Sequence, residues 1–437
     1  MEETSSPTRR NVFRNKNFTL VFLGALVSNI AALFYSFAVS FYILKISDNN
    51  ALLQGLYLAV GGAVFCVASL YGGVISDRFN KVKIIYICDY LKGGIILGFT
   101  LLLMFVIESN EWKIACLFII TVLLNIIAGI FSPASNALLP EIVEEQSFQQ
   151  AQSYFSILNS FQSIVGVFLA GILYTLIPIN ILFLIVGVCY IASAISEMFI
   201  RYNYQKDENA EKLTMKTIFS DIKSGFVYFA TVKPMFILII CVLVFNFFFT
   251  PIISNFIPYF IVSDVADSPY LFHEIMAPEM WSSILSVGIG IGSLIMGTIL
   301  SIQKQKEHYS RMVRFSFVLV SLLFVGFTVG YYLFTIGTFD INAILVSLLI
   351  GAFMTGILIV SINVPSSTAM MKMIEREKYG KVSSVINIGS QGLIPLATFL
   401  AGLSLTYIGS LGLLIICAAG LLITSIVIFL SKSIKKI

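Results

Sequence analysis

Long uncharged apolar runs, separated by short clusters of polar and charged residues, recur along the whole chain. Each run has about the 20 residues that an α-helix needs to cross the hydrocarbon core of a bilayer. Because lipid offers no partner to backbone N–H and C=O groups, such runs predict membrane-spanning helices rather than loops or open strands. We predict twelve, at about 18–44, 52–76, 84–107, 114–138, 152–178, 181–200, 235–262, 281–302, 313–335, 341–364, 380–408 and 411–431.

The composition argues against a soluble globule. Of the 437 residues, 58% are hydrophobic and 11% are charged, which leaves too little polar surface to cover a fold of this size in water. We therefore predict an all-α polytopic membrane protein, with the lipid bilayer as its first partner. All six cysteines lie at scattered spacing inside apolar runs, which is typical of small buried residues. We expect no cofactor and no bound metal.

The basic residues alternate between the two sides of the predicted helices. The basic clusters lie in the tails and in the loops that follow helices 2, 6, 8 and 10, and of 27 lysines and arginines only Lys45 and Lys113 lie on the other side. The positive-inside rule then places both termini in the cytoplasm and requires an even number of helices. Trp112 and Trp281 begin helices 4 and 8 and are expected at the outer interface. We predict a multi-pass protein of the cytoplasmic (inner) membrane of a bacterium.

Two short internal matches indicate a duplication. Residues 132–145 align with 364–377 at an offset of 232, and Phe168–Gly171 aligns with Phe399–Gly402 at an offset of 231. Chance identity between apolar sequences is the alternative. Duplicated six-helix halves predict a central site at their interface and alternating access by rocking. The chain then divides into an N-terminal six-helix bundle (1–200), a cytoplasmic linker (201–233) and a C-terminal six-helix bundle (234–437).

The loop between predicted helices 2 and 3 reads GVISDRFNKVK over residues 73–83. It resembles the G-x-x-x-D-R-x-G-[RK]-[RK] signature of the major facilitator superfamily, except at Asn80, where the family usually has glycine, and at Val82. The resemblance implies the twelve-helix major facilitator fold. It also implies a cytoplasmic latch, in which the Asp77 carboxylate caps the start of helix 11 near 380–382. The latch residues would be Gly73, Asp77, Arg78, Lys81, Asp89 and Lys92. For the basic residues taken alone, the alternative is that they are ordinary positive charges of a cytoplasmic loop.

Two further segments, FSPASNALLPEIVEE (131–145) and NSFQSIVGVFLAGIL (159–173), resemble the drug and macrolide efflux branch of this superfamily, which also contains siderophore exporters. Within the second segment, GVFLAG (166–171) keeps the small residues of the antiporter pattern G-P-x-x-G-G and lacks its proline. Small residues permit close helix approach. The resemblance implies an exporter.

The middle of the predicted helices carries no acidic, basic or histidine side chain on these boundaries, and Glu197 lies near the inner end of helix 6. Amides in hydrocarbon are costly unless bonded, so they should face the bundle interior. For any one amide, an interhelical hydrogen bond is as good an interpretation as a substrate contact. As a group they predict a cavity for an uncharged or weakly charged amphipathic molecule, lined by Asn29, Tyr35, Asn125, Asn159, Gln162, Asn246, Asn255, Tyr259, Asn363, Asn387 and Gln391.

The leading hypothesis is a proton-driven secondary exporter of amphipathic small molecules such as macrolides or other drugs, working as a monomer and binding no nucleic acid. Protonation would then fall on Asp77, Asp89 or Glu197. A lipid or siderophore exporter is the close alternative, and a non-transporting receptor is another class. A membrane enzyme is disfavoured, because His273 and His308 lie alone in loops and no catalytic or nucleotide-binding motif is present.

Overall fold

The computed structural model describes residues 12–143, 150–151, 154–155, 157–159, 161–202, 231–302, 310–373, 392–432 and 434. These residues form helices and short connections, with no strand among them. Eleven of the described helices are long and apolar enough to cross a membrane, and Ile394–Tyr407 is a shorter apolar one. The predicted all-α polytopic membrane fold is confirmed.

Asparagine caps set the start of the first three helices. The side-chain oxygens of Asn15, Asn50 and Asn80 accept backbone N–H groups of the following first turn, which would otherwise be unpaired. This accounts for Asn80 at the position where the family signature has glycine. The helices of the first half are α1 (Lys16–Ile46), α2 (Ala51–Arg78), α3 (Lys81–Phe105), α4 (Asn110–Ile142), α5 (Val167–Leu176, entered through a π-helical turn at Gln162–Gly166) and α6 (Ile179–Met198).

The first helix of the second half, α7, is irregular in its later part. It runs as an α-helix over Lys233–Pro251 and continues through π-helical turns at Ile252–Phe256 and Ile261–Val265. Pro251 and Pro258 lack the N–H that a regular helix needs, which accounts for the altered hydrogen bonding there. The remaining helices are α8 (Met280–Ile302), α9 (Ser310–Thr335), α10 (Ile341–Met373), α11 (Ile394–Tyr407) and α12 (Gly409–Leu430).

The two halves repeat the same helix packing. In the first half α2 packs on α4 and α3 on α6, and in the second α8 packs on α10 and α9 on α12. Glycines bring the crossing backbones together, since a Cβ added to Gly72 would collide with the Gly129 carbonyl oxygen. Likewise, one added to Gly356 would collide with the Ile289 carbonyl oxygen. Close approach at small residues is typical of membrane helices, and its recurrence reflects the two six-helix repeats.

Several helices extend beyond their predicted bounds at the end of the bundle where α1 begins and α12 ends. We call this the terminal end, and the opposite one the distal end. There α4 continues to Ile142 and α10 to Met373, while α3 begins at Lys81. The predictions stopped where charges begin, but a helix that leaves the hydrocarbon continues as long as its backbone stays paired. Of the predicted linker, residues 203–230 lie outside the described part.

The two tryptophans differ in environment. Trp112 is exposed at the start of α4, as an interfacial side chain would be. Trp281 is buried within the hydrophobic core of the second half. The first turn of α8 packs against neighbouring helices, so the Trp281 ring is covered by protein, and its position at the outer interface stays a prediction.

The halves touch near the distal end. Gly55, in the second turn of α2, faces Gly402 of α11, and a Cβ added to Gly55 would lie 2.8 Å from the Gly402 Cα. Ser283, in the first turn of α8, donates a hydrogen bond of 3.0 Å to the Val167 carbonyl oxygen of α5. These two contacts close the described halves against each other at the distal end.

Gly55→Leu is expected to separate α2 from α11 at the distal end, because a larger side chain has no space against the Gly402 backbone. Spin labels at Asn49 and Tyr407, both exposed, would report the separation in the purified protein. We expect the label distance to increase by several ångströms. Gly98→Leu is the matched control, since nothing lies within 4 Å of a Cβ at Gly98. An unchanged distance in Gly55→Leu would show that the glycine contact does not close this end.

Candidate functional site

A cavity of about 810 Å³ lies among the helices of the first half. This volume is in the range of sites that bind drug-sized molecules. The cavity reaches from Ser40 and Tyr57, towards the distal end, to Leu139, one turn before α4 ends at the terminal end. Since the described halves touch at the distal end, the cavity leads towards the terminal end.

The described wall combines rings, small polar side chains and one charge. The charge is Lys92, and serine, threonine and asparagine side chains come mainly from α1 and α4. Such a wall can solvate both the apolar and the polar parts of an amphipathic molecule. The aromatic residues of the wall are Tyr35, Tyr57, Phe65, Phe131, Phe155 and Tyr190.

Four of the predicted cavity residues lie in this wall: Asn29, Tyr35, Asn125 and Asn159. Asn125 donates a hydrogen bond of 2.9 Å to the Thr121 carbonyl oxygen of its own helix. Its amide oxygen therefore remains available to a molecule in the cavity. Whether any of the four contacts a substrate stays a prediction.

Other predicted cavity residues lie elsewhere in the described structure. Asn255 of α7 is fully buried and donates a 3.1 Å hydrogen bond to the Thr398 carbonyl oxygen of α11. It therefore makes an interhelical hydrogen bond, the alternative to a substrate contact. Gln162 is buried in the π-helical turn before α5 without belonging to the described wall. Tyr259 packs against the hydrophobic core of the second half.

The last four predicted cavity residues are not placed in the wall either. Asn246 is half-buried on α7, and Asn363 is exposed on α10. Asn387 and Gln391 lie outside the described residues. The described cavity is thus a feature of the first half, whereas the prediction spread its polar lining over both halves.

A buried ion pair stands behind the cavity wall on α3. The Lys92 ammonium lies 3.1 Å from Asp89 Oδ1, and Asp89 is 0% exposed. Lys92 also sits 3.8 Å from the centroid of the Phe131 ring and 5.3 Å from that of Tyr190, as cations over aromatic faces do. The lysine is therefore held by one carboxylate and two rings while its side chain faces the cavity.

A second carboxyl group completes this site from α6. Glu197 is 2% exposed, and it accepts a weak 3.4 Å hydrogen bond from the Ser193 hydroxyl. A Cβ added to Gly24 of α1 would lie 2.6 Å from Glu197 Oε1, so only glycine leaves room for the carboxyl group there. Its other oxygen has no hydrogen-bond partner.

We call Asp89, Lys92 and Glu197 the acid–base site. Asp89 and Lys92 are the charged neighbours of Glu197, and the Cys88 thiol and the Tyr190 phenol are the titratable groups beside them. Two acids thus face one base. Burial makes an unbalanced charge costly, so this site favours binding of one additional positive charge.

The acid–base site lies inside the bundle, and whether the membrane midplane itself is neutral stays a prediction. Because α3 begins at Lys81, Asp89 lies about 12 Å and Lys92 about 16 Å along the helix from its start, at 1.5 Å per residue. Glu197 is near the end of α6, but its side chain points inward to Gly24 of α1. Lys92 therefore reaches the cavity wall, and the two carboxyl groups are buried behind it.

The predicted latch cluster is divided into separate groups. Lys81 lies 2.9 Å from Glu141 of α4, and Tyr202 donates a short hydrogen bond to the same carboxylate. Arg78 is half-buried at the last position of α2. This surface group is distinct from the Asp89–Lys92 pair, which lies two to three turns further into α3. Gly73 has nothing within 4 Å of a Cβ position.

The central contact of the latch lies outside the described part of the chain. Only the backbone of Asp77 is described, within α2, and residues 380–382 at the expected start of helix 11 are not described. The latch therefore stays a prediction.

The prediction from sequence missed Tyr57, Thr121 and Ser28 as cavity residues. Each is a hydroxyl in a largely apolar run, where a buried polar group needs a partner inside the bundle. The prediction gave amides more weight than hydroxyls, yet it also left out the wall amide Asn136 of α4.

Comparison with known proteins gives related sequences. The profile of the Major Facilitator Superfamily matches residues 21–398. The uncharacterized MFS-type transporter YvqJ of Bacillus subtilis is 24% identical over 399 residues, which cover 90% of this chain and 87% of that protein. For the uncharacterized MFS-type transporter YkuC of the same organism, the identity is 22% over 391 residues, 86% and 82% of the two chains. Macrolide efflux protein A of Streptococcus pyogenes is 23% identical over 241 residues, which cover 55% of this chain and 57% of that protein.

Solved structures share the fold at low sequence identity. A bacterial homologue of the iron transporter ferroportin in an inward-facing state superposes with a TM-score of 0.70 at 14% identity, covering 96% of this chain and 98% of that one. A D-xylose-proton symporter gives 0.69 at 11% identity, covering 97% and 99%. Because the profile spans most of the sequence and these transporters share its fold over nearly the whole length, the chain belongs to the Major Facilitator Superfamily and is a membrane transporter rather than an enzyme.

Proposed function

We propose that this transporter is a secondary active exporter, which moves amphipathic small molecules such as macrolides or other drugs out of the cytoplasm in exchange for protons. The observation that carries the proposal is the acid–base site. It places a proton-binding carboxyl group beside a lysine that lines the cavity. A proton and a substrate can then influence each other's binding through charge.

The proposed orientation places the terminal end in the cytoplasm of a bacterial cell, with the chain in its inner membrane. The basic tails and loops support it, since all but two of the 27 lysines and arginines belong to that side. The cavity that leads to the terminal end would then receive substrate from the cytoplasm, as an exporter requires. The two halves, 1–200 and 234–437, would rock about this cavity, joined by the linker 201–233.

The wall of the cavity supports an amphipathic substrate. Rings such as Phe65 and Phe155 would cover apolar parts, and the Asn29 and Asn159 amides would hydrogen-bond polar ones. The distant similarity to a macrolide efflux protein points in the same direction. We propose that a single chain is sufficient, because every described wall residue comes from one six-helix bundle.

Charge balance supports exchange against protons. With all three groups of the acid–base site ionised, the two carboxylates and one ammonium leave one negative charge, which favours a weakly cationic substrate. A proton on Glu197 would remove that charge and weaken substrate binding. Competition of this kind makes an inward proton movement drive an outward substrate movement. Asp77, with Gly73 and Arg78, would act in the separate latch that closes the terminal end.

Export of a lipid is a second candidate, favoured by another cavity. This one, of about 380 Å³, lies among α7, α8, α9 and α10 and has almost wholly apolar walls. Leu322 and Ile350 are strongly exposed at its rim, so an acyl chain would reach it from the bilayer. A siderophore exporter would use the same fold, but no contact or cavity in the described residues favours it.

Cells that express the transporter are expected to accumulate less labelled macrolide and less ethidium than cells that do not. A protonophore should abolish the difference, because it removes the proton gradient. Asp77→Asn should also abolish it if the latch is required, while Asp267→Asn, the same change at an exposed loop position outside the cavity wall, serves as an expression-matched control. Unchanged accumulation of both compounds would contradict drug export, and the same assay with a labelled lipid would then test the second candidate.

A further inference from the structure

Three buried hydroxyl groups meet in the distal part of the cavity. Tyr35 of α1, Tyr57 of α2 and Thr121 of α4 all line it, and each is at least nine-tenths buried. Their hydroxyls face one another. We call them the hydroxyl cluster. Their convergence from three helices makes this a defined polar position in a largely aromatic part of the wall.

Two members of the hydroxyl cluster lack a well-formed hydrogen bond. The Tyr35 and Thr121 hydroxyls are buried and make no hydrogen bond of good length and angle, although each lies close to another hydroxyl of the cluster. Buried hydroxyls in native proteins are bonded in nearly all cases, because leaving one unsatisfied is costly. Since both side chains line the cavity, a group placed in the cavity can supply the missing partner.

The helix packing holds the hydroxyl cluster in place. A Cβ added to Gly61 of α2 would lie only 3.1 Å from Thr121 Cγ2, so the absence of a side chain at Gly61 lets α4 approach α2. The Tyr35 ring packs at a tilt of 42° against Phe183 of α6, with their ring centroids 5.7 Å apart. This apolar packing holds the phenol in its orientation.

The hydroxyl cluster and the acid–base site form two separate polar ends of one cavity. Ser28 faces Asp89 of the acid–base site, and Tyr35 lies seven residues further along α1. At 1.5 Å per residue the two positions are about 10 Å apart along the helix. A molecule that touches both ends must therefore be elongated.

We infer that the hydroxyl cluster is a recognition site for a hydrogen-bond-accepting oxygen of the transported molecule. The substrate class is then an elongated amphipathic compound with a carbonyl, ether or hydroxyl oxygen at the end that enters first. Its opposite end lies near Lys92. This inference rests on the proposed function, and it adds a chemical requirement that the aromatic wall alone does not impose.

Binding of two probes to the purified transporter tests the inference. Erythromycin carries many acceptor oxygens, whereas ethidium has none. Tyr35→Phe and Thr121→Val each remove one hydroxyl and keep the shape of the side chain. We expect each to raise the Kd of erythromycin about three- to tenfold, the effect of one neutral hydrogen bond. The Kd of ethidium should change by less than about twofold, because ethidium offers the hydroxyl no acceptor oxygen.

Tyr42→Phe is the matched control, since Tyr42 is a buried tyrosine of the same helix that does not line the cavity. Equal effects of Tyr35→Phe on both probes, or none on erythromycin, would overturn the inference and leave the exporter proposal standing. Failure of the unchanged protein to bind either probe would overturn the proposed substrate class together with the inference. A shared loss of thermal stability in Tyr35→Phe and Tyr42→Phe would assign any weaker binding to folding, against the inference.

Discussion

Glu197→Gln is expected to remove the pH dependence of substrate binding and to stop gradient-driven transport, while substrate still binds. The amide keeps the size of the carboxyl group and its contact with Ser193, but it does not take up a proton. The acid–base site then stays in its charge-balanced form at every pH. Coupling between two ligands is typically about 1–3 kcal/mol, which corresponds to about 5- to 150-fold in affinity.

The measurement has two parts in proteoliposomes and purified protein. In the unchanged transporter the Kd of ethidium should rise by a factor in that range as the pH falls, because proton and cation compete. In Glu197→Gln it should stay constant and high, and an imposed pH gradient should drive no transport. Substrate exchange without a gradient should persist, because alternating access itself needs no proton here.

Glu141→Gln is the control for this prediction. Glu141 is also a carboxylate near a lysine, but its side chain is 40% exposed and lies outside the cavity wall, so the pH dependence of substrate binding and the gradient-driven transport should both remain. Gradient-driven transport that survives simultaneous neutralisation of Asp77, Asp89 and Glu197 would exclude proton coupling through any of the three.

Lys92→Met is expected to destabilise the transporter strongly, and adding Asp89→Leu is expected to restore most of the lost stability. The single change leaves Asp89 fully buried without its counter-ion, which costs about 3–5 kcal/mol when a buried pair is broken. The double change replaces both charges with apolar side chains of similar volume, which is often neutral for stability. Thermal unfolding of the purified variants would measure both effects.

The double variant also separates folding from transport. It should be nearly as stable as the unchanged protein, and because it loses one acid and one base, Glu197 alone keeps the site at one negative charge when ionised and at zero when protonated. Proton-driven transport that persists in the double variant would therefore assign the coupling to Glu197. Lys81→Met is the matched control and should cost less than Lys92→Met, because the carboxylate left without its partner, Glu141, is 40% exposed and can be hydrated. Equal stability of Lys92→Met and the double variant would show that Asp89 does not depend on Lys92 for its burial.

Local properties of the chain were sufficient to predict the helices. The run that became α1 was predicted at 18–44 and is helical over Lys16–Ile46, because length and apolarity alone meet the requirement of the bilayer. The loop signature at 73–83 likewise identified the superfamily, since it lies within one short segment. The ends were less accurate, as α10 shows by running nine residues past its predicted limit to Met373.

The polar side chains could be recognised but not assigned to partners. Asn255 and Asn125 look alike in the sequence, yet one binds a backbone oxygen of α11 and the other lines the cavity. The Trp281 ring is covered by protein, because the neighbours of α8 come from distant parts of the chain. Which way a side chain faces depends on the rotation of its helix against others, and no local pattern encodes that.

The length, apolarity and short motifs of single segments were sufficient to predict the membrane, the approximate bounds of the helices, the family and the presence of polar groups inside the bundle. Three contacts became visible only in the folded chain: Glu197 meets Gly24, Lys92 lines the cavity with Asp89 behind it, and Tyr35, Tyr57 and Thr121 converge. These contacts join residues of different helices, and they depend on close packing at glycines such as Gly24 and Gly61, whose meaning appears only when the opposing side chain is in place.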